Sequence, residues 1–316
     1  MFMENNPAKQ QDLWGNIVDK KYELRDKYVE PPFSVLDTRQ GSWMTRRNKW
    51  KSLGLESELG REIIGGNHFS GGFNEELYHG KEIKNDTTRR ILEVGGHSIF
   101  DPVLCELMIR WFTPHERSLI LDPFAGGSVR GIVATTLGHL YDGLELRAEQ
   151  VESNRNQAER IFKEHGIERP NWITGDSNQT LDGLLLKSNV QERYDFMLSC
   201  PPYGDLEIYS ELPEDISNMP YEQFLEVYRS IIYKSCKLLK VGALACFVVG
   251  EFRDKKGNYR GFVPDTIKAF VDAGMKYYNE MILLNVVGSA SMRAETTMKN
   301  KKIVKIHQNV LVFKKE

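Results

Sequence analysis

The chain has 316 residues, of which 41% are hydrophobic and 27% charged. That length is more than one ordinary domain of roughly 100–200 residues needs, and that composition builds a real core, which excludes fibrous and disordered classes. The net charge of −2 signals no global attraction to nucleic acid, so contact with a polyanion must come from local patches.

Cys105, Cys200, Cys236 and Cys246 show no C-x-x-C pairing, which argues against a zinc site or disulfide framework and for a reducing compartment. The N-terminus "MFMENNPAKQQDLW" has neither the basic nor the apolar block of a signal peptide. The longest apolar run, "VGALACFVVG", is far short of the ~20 residues a membrane helix needs. A cytoplasmic protein without membrane association is expected.

Residues 1–95 read as an N-terminal extension over an α/β core and not as an independent domain. They contain the glycine-rich "IIGGNHFSGGFNEELYHG" and the basic, aromatic "RQGSWMTRRNKWK", which has no acidic residue. Trp43 and Trp50 lie two turns apart if that stretch is helical, and core packing on one face is favoured over nucleic-acid contact.

Residues 96–316 alternate helix and strand. "FDPVLCELMIRWF" has helical spacing, with Asp101 and Pro102 placed as a helix start. "SLILDP" is a short buried strand, followed by helix "SVRGIVATTLG" and strand "HLYDGLEL". The amphipathic helix "RAEQVESNRNQAERIFKEHGI" leads to strands "NWITGD" and "RYDFMLS". Helix "YEQFLEVYRSIIYKSCKLLK", strand "ALACFVVGEF", helix "PDTIKAFVDAGM" and strands "YYNEMILLNVV" and "HQNVLVF" complete the chain. The pattern predicts a seven-stranded, Rossmann-like α/β sheet, mostly parallel, with helices on both faces and an antiparallel last strand.

The first functional signal is "ILDPFAGGSVRG". Asp122 ends a strand, and Pro123, Phe124 and the Gly126-Gly127 turn lead into a helix, at the strand end where open α/β sheets bind ligands. The dinucleotide fingerprint G-x-G-x-x-G fails here, because Asp-Pro-Phe intervenes and the glycines are adjacent. An acid at the strand tip repels phosphate and suits a ligand with an ammonium group and ribose hydroxyls, more like S-adenosylmethionine than NAD. Glu145 and Asp176, followed by Ser177, end the next two strands and can accept from ribose hydroxyls and an adenine amino group. One such acid is as often a helix cap; three at consecutive strand tips favour the ligand.

The second signal is "SCPPY" at the end of the fourth strand. With "DPFAGG", and "SIFDP" ahead of the preceding helix, it makes residues ~95–316 resemble the amino-methyltransferases, which carry a D/N/S-P-P-Y/F/W motif here. "FSVLDTRQGSW", "SELGR", "GEFRDKKGNYRGFVPDT" and "HQNVLVF" make the chain similar to bacterial and bacteriophage DNA methyltransferases of the adenine-N6/cytosine-N4 class. The resemblance implies S-adenosylmethionine as cofactor, double-stranded DNA as partner, and a role in DNA modification or restriction-modification. It also places the methionine part of the cofactor at Phe100 and Asp101; for Asp101 a helix cap is an equally good reading.

The motif suits the chemistry. An exocyclic amine is a poor nucleophile because its lone pair is delocalised, and acceptors aimed at its N–H protons favour the tetrahedral nitrogen that attacks a methyl group. The carbonyl of Pro201 is one such acceptor, and Pro201-Pro202 hold it in a fixed extended path. Tyr203 stacks on a base taken out of the duplex. Cys200 stands where the family pattern has Asp, Asn or Ser, and a thiol is a weak acceptor. Three readings stay open: a tolerated variant assisted by Ser199 or Asp205, a site that binds without reacting, or a covalent nucleophile. The last is disfavoured because cytosine-C5 enzymes place Pro before Cys.

Arg39, Arg46, Arg47, Lys49 and Lys51, and again Arg293, Lys299, Lys301, Lys302 and Lys305, form local basic clusters suited to phosphates. Arg253 and Asp254 either shape the base pocket or are solvated loop charges. His97 and His307 have no ligand partners at useful spacing, so no metal is expected. No insert large enough for a target-recognition domain is visible. Specificity then falls to the N-terminal extension, the 287–306 loop or a second subunit, or is low, and a homodimer is the other assembly considered. Such motifs also serve RNA and protein methylation, and a non-catalytic DNA or cofactor binder is the alternative from another class.

Overall fold

The computed structural model describes residues 10–11, 17–18, 24–55, 100–187, 192–204, 209–287 and 290–316. The glycine-rich stretch, "SELGR", His97 and Asp205 lie outside these. The chain divides into two compact units, residues 1–33 and 34–316. In the first, β1 (Gln10–Gln11) pairs antiparallel with β2 (Ile17–Val18), and α1 (Leu24–Tyr28) is followed by Glu30, which accepts from Arg25 Nε at 3.1 Å.

The second unit is built on one eight-stranded sheet. Its strands are β3 (Val35–Asp37), β4 (Leu119–Asp122), β5 (Leu140–Glu145), β6 (Asn171–Thr174), β7 (Tyr194–Ser199), β8 (Leu239–Val249), β9 (Met275–Leu284) and β10 (His307–Lys315). Their spatial order is β3-β9-β10-β8-β7-β4-β5-β6. Every pairing is parallel except those of β10, which runs antiparallel to both β8 and β9. The seven expected strands are all present, with the last inserted as the alternation "HQNVLVF" suggested. The eighth is β3, three residues of the N-terminal stretch that pair in register with Ile282–Leu284. It was not expected, because a strand this short leaves no periodic signature.

The helices are α2 (Gly41–Ser52), α3 (Pro102–Phe112), α4 (Val129–Thr136), α5 (Ala148–His165), α6 (Ser177–Lys187), α7 (Tyr221–Leu238), α8 (Phe262–Asp272) and α9 (Ala290–Lys299). Two groups of neighbours form, α2–α3–α4 and α6–α7–α8. All six residues of β7 are buried, so the sheet centre is covered on both faces, as parallel strands require. An aromatic cluster fills the space between α7, α8 and the sheet, with Phe270 stacked on Phe313 at 4.0 Å between ring centroids. Fully burying each such ring contributes roughly 1.5–3 kcal/mol. The 287–306 segment, expected as a loop, contains α9. No described helix is long and apolar enough to cross a membrane.

Candidate active site

The strand order reverses between β4 and β7, since β5 and β6 add on one side and β8 on the other. At the carboxyl ends of these strands, where such a switch point makes a crevice, lies a cavity of about 730 Å³, a size typical of small-molecule sites. One cavity gathers the three separate motifs. Phe100 and Asp101 line it ahead of α3, Phe124 and Gly126 after β4, Glu145 at the end of β5, Asp176 and Ser177 after β6, and Cys200 to Tyr203 after β7. Gly127 and Asp122 do not line it.

Asp122 sits behind the cavity wall, fully buried. Its Oδ1 accepts from Ser199 Oγ at 2.6 Å and from the Phe124 N–H at 3.2 Å. Its Oδ2 accepts from Arg130 Nε at 2.5 Å and from the Tyr141 hydroxyl at 2.7 Å. Four protein donors thus occupy a carboxylate that the sequence suggested would meet a ligand ammonium, and its visible role is to fix the turn. Ser199 donates to Asp122 in the same network, is fully buried and does not line the cavity.

Arg130 completes that turn and is a residue the sequence reading passed over. Its Nη2 donates to the carbonyls of Phe124 and Ala125 at 2.6 and 2.8 Å, and its guanidinium lies 4.6 Å from the centre of the Phe100 ring. Burial works against its charge, but the Asp122 carboxylate, Tyr141 and Cys200 together more than offset this and hold its pKa above the ordinary value. A buried charge is tolerated only when paired and hydrogen-bonded in this way. The detectable signal was an arginine inside an otherwise apolar helix, "SVRGIVA".

Gly126 adopts φ 54°, a conformation open to glycine at no steric cost. Its N–H donates to Glu145 Oε2 at 2.9 Å and its carbonyl accepts from Asn154 Nδ2 at 2.7 Å. Glu145 also accepts from the Arg147 N–H at 3.0 Å, so the backbone aims this carboxylate along the cavity edge. Asp176 accepts from the Asn178 N–H at 2.9 Å and caps α6, while Ser177 Oγ donates to the Pro123 carbonyl at 2.6 Å. Asp101 likewise caps α3, accepting from the Val103 N–H at 2.8 Å. It also accepts from Trp43 Nε1 at 3.1 Å and from Arg47. The cap and ligand readings of Asp101 and Asp176 are compatible, since each caps a helix and lines the cavity.

Beside the glycine turn, β7 delivers Cys200, Pro201, Pro202 and Tyr203. Pro201 is buried, and Tyr203 is half-buried. The Tyr203 ring lies parallel to Phe252 with centroids 6.4 Å apart, and its edge meets Phe262. Its hydroxyl accepts from Gln308 Nε2 at 2.7 Å and lies beside the Cys200 thiol. Burial pushes the Tyr203 hydroxyl well above the ordinary phenol range, with the Cys200 sulfur adding to the shift, so it stays neutral. Gln308, Lys305 and His307, brought in by the antiparallel last strand, form the far wall with Gly250 and Glu251. The sequence suggested Lys305 for phosphate contact and no metal role for His307, and for Gln308 the hint was "HQNVLVF" as a family-like segment.

The basic clusters are less free than the sequence suggested. Arg39 pairs with Asp37 (2.7 Å), Arg46 with Glu106 (2.6 Å) and Arg47 with Asp101 (2.9 Å). Trp43 and Trp50 are buried, as favoured, and Trp50 Nε1 donates to Glu106 Oε2 at 2.8 Å. Burial raises the Glu106 pKa, but hydrogen bonds from Arg46, Arg110 and Trp50 together hold it below the usual carboxylate value. Lys49 and Lys51 are exposed, and Lys51 reaches the cavity rim. Arg253 donates to the Gly257 carbonyl at 2.8 Å and Asp254 accepts from the Asn258 N–H at 2.8 Å. Both hold a turn outside the cavity. Lys299 and Lys301 are exposed, Lys302 packs over Gly257, and Arg293 is half-buried on α9. No metal-binding cluster occurs among the described residues.

No protein-family profile and no curated protein sequence matches this chain. Solved structures share features with it at low identity. TrmN from Thermus thermophilus is 16% identical with a TM-score of 0.43, over 69% of this chain and 49% of that one. A second Thermus thermophilus protein, described as a DNA modification methylase, is 18% identical with a TM-score of 0.32, over 44% of this chain and 50% of that one. Magnesium protoporphyrin IX methyltransferase from Synechocystis PCC 6803, with bound SAM, is 12% identical with a TM-score of 0.40, over 76% of this chain and 88% of that one. The chain thus spans about half the length of the first two.

Proposed function

We propose that the chain transfers a methyl group from S-adenosylmethionine to the exocyclic amine of adenine (N6) or cytosine (N4) in DNA. The observation that carries this reading is that Pro201 and Tyr203 open into the same cavity as Gly126, Glu145 and Asp176. On this reading the tip that holds the amine opens into the same cavity as the tip that holds the nucleoside.

The cavity fits that cofactor. Glu145, oriented by the Gly126 and Arg147 N–H groups, would hold the ribose hydroxyls, and Asp176 the adenine amino group. Phe100, Asp101 and Phe124 line the end toward the methionine part. When bound, S-adenosylmethionine supplies an electrophilic methyl on a sulfonium. The chain's own task is to position the amine. Pro201 presents a carbonyl to one N–H, and the ring of Tyr203, braced by Phe252 and Gln308, lies flat against a base taken out of the duplex. Catalysis of this kind rests on preorganised acceptors and in-line geometry. Lys49, Lys51, Lys299 and Lys301 are exposed cations placed for phosphates.

The test is incubation with methyl-labelled cofactor and unmodified duplex DNA, followed by nucleoside mass spectrometry. N6-methyladenine or N4-methylcytosine that is lost in Tyr203→Ala is expected. Label on RNA or on a protein amide, with none on DNA, would move the activity to another acceptor. Cofactor binding with no acceptor labelled would mark a site that binds without reacting.

A further inference from the structure

Lys305 lies just ahead of β10, half-buried in the wall that faces the catalytic tip. A Cβ on Gly250 would stand 3.7 Å from Lys305 Nζ and 3.6 Å from Tyr203 Cε2. The amine and the motif ring therefore sit across one residue that has no side chain. Among the described residues the one hydrogen bond of Lys305 Nζ is to Asn309 Oδ1 at 3.5 Å, the outer limit of such a contact, and no carboxylate pairs with it. An amine so poorly partnered beside a cavity points to a partner that comes with the substrate.

We propose that Lys305 takes the proton released by the target amine. This rests on the amino-methyl transfer proposed above. As the nitrogen–carbon bond forms, the carbon–sulfur bond of the sulfonium breaks and its electron pair goes to sulfur. The nitrogen is left with four bonds and a positive charge, and its N–H proton passes to the lone pair of Lys305 Nζ. The resulting ammonium returns the proton to water. Cys200 is a weak acceptor where the family pattern has an acid, amide or hydroxyl, and Ser199 is held by Asp122, so an acceptor from another strand is what this site lacks.

Burial favours the neutral form of this amine, and the carboxylate that faces it opposes this. Glu251, at the end of β8, already accepts from the Gly261 and Val263 N–H groups at 3.1 and 2.8 Å. Tyr203 stands near it from the tip of β7, and His307 and Asn309 from β10. Burial lowers the Lys305 pKa from its ordinary 10.5, and Glu251 only partly opposes this. Burial is also the main cause that lowers the pKa of His307.

The experiment compares kcat against pH on duplex DNA for the wild type, Lys305→Met and Lys305→Arg, with a carbon-13 NMR titration of lysine Cε in the protein alone. Wild-type kcat is expected to rise with pH as Lys305 loses its proton. Both variants are expected to lose that limb and roughly 100-fold in kcat, the scale of general-base catalysis. The Cε resonance missing from Lys305→Met is expected to titrate below 10.5. Unchanged cofactor affinity by calorimetry would show that the variants are folded. Rescue by arginine would make Lys305 a phosphate contact and overturn the proposal, as would an unaffected Lys305→Met or a titration at the ordinary value. A wild type inert on DNA would sink the reaction itself, whereas an active wild type with an indifferent Lys305→Met sinks only this role.

Discussion

The two halves of the cavity treat their polar groups in opposite ways. On the glycine-turn side, Asp122 accepts from four protein donors and Arg130 bonds two carbonyls and a carboxylate. On the far side, the one hydrogen bond of Lys305 Nζ among the described residues is 3.5 Å long, and Gly250 leaves bare backbone beneath it. The first half is finished before any ligand arrives, and such preorganisation gives rigid, specific binding. The second half is finished only by what enters it. A side chain's partners therefore indicate whether it serves the fold or the reaction, and Asp122 belongs to the fold although its sequence position suggested a ligand.

The largest effect follows from breaking the finished half. Arg130→Met leaves the Asp122 carboxylate buried without its counter-charge, and removing one partner of such a pair costs about 3–5 kcal/mol. Urea unfolding measures it; a loss below about 1 kcal/mol would mean that Tyr141, Ser199 and the Phe124 N–H satisfy Asp122 alone. Next comes the unfinished half. Tyr203→Ala is expected to leave cofactor affinity near wild type and to cost roughly 1–3 kcal/mol of base stacking, read as a fall in kcat/KM. Equal damage to cofactor binding would show that the two halves are not separate. Glu145→Gln keeps the shape but loses charge-assisted bonds worth roughly 1.5–3 kcal/mol at most, so cofactor affinity by calorimetry is expected to fall about tenfold. Gln308→Met removes one neutral hydrogen bond of about 1 kcal/mol. Combined with Tyr203→Phe it is expected to be non-additive, because both delete the same 2.7 Å contact.

What was legible in the sequence divides along similar lines. Strands β4 to β10 announced themselves by apolar runs and alternation, because burial on one or both faces imposes a period. The tip of β7 was readable because proline and tyrosine at a strand end have few structural uses. β3 was not, since three residues carry no period, and α9 was hidden in a polar segment. Arg130 and Gln308 were missed for a different reason. Gln308 meets Tyr203 because the sheet order brings together positions 105 residues apart, whereas Arg130, eight residues from Asp122, meets it because the turn after β4 folds back. The basic stretch around Arg46 looked available to phosphate because Glu106 and Asp101, its partners, stand more than fifty residues away.

That last pairing gives the smallest effect and the finest test of the finished half. Glu106 is buried between α2 and α3, and its pKa is held below the ordinary 4.5: burial opposes the charge, while Arg46, Arg110 and Trp50 together outweigh it. A carboxyl whose folded pKa is depressed contributes stability that is fully present above its unfolded value and is lost as pH falls through the folded one. The stability difference between wild type and Glu106→Gln is therefore expected to stay constant from pH 7 to about 5 and to shrink below the ordinary 4.5. Urea midpoints at pH 7, 5, 4 and 3 would show it. A difference that persists to pH 3 would mean that Trp50 and Arg46 hold α2 by packing and shape, with the charge of Glu106 contributing little.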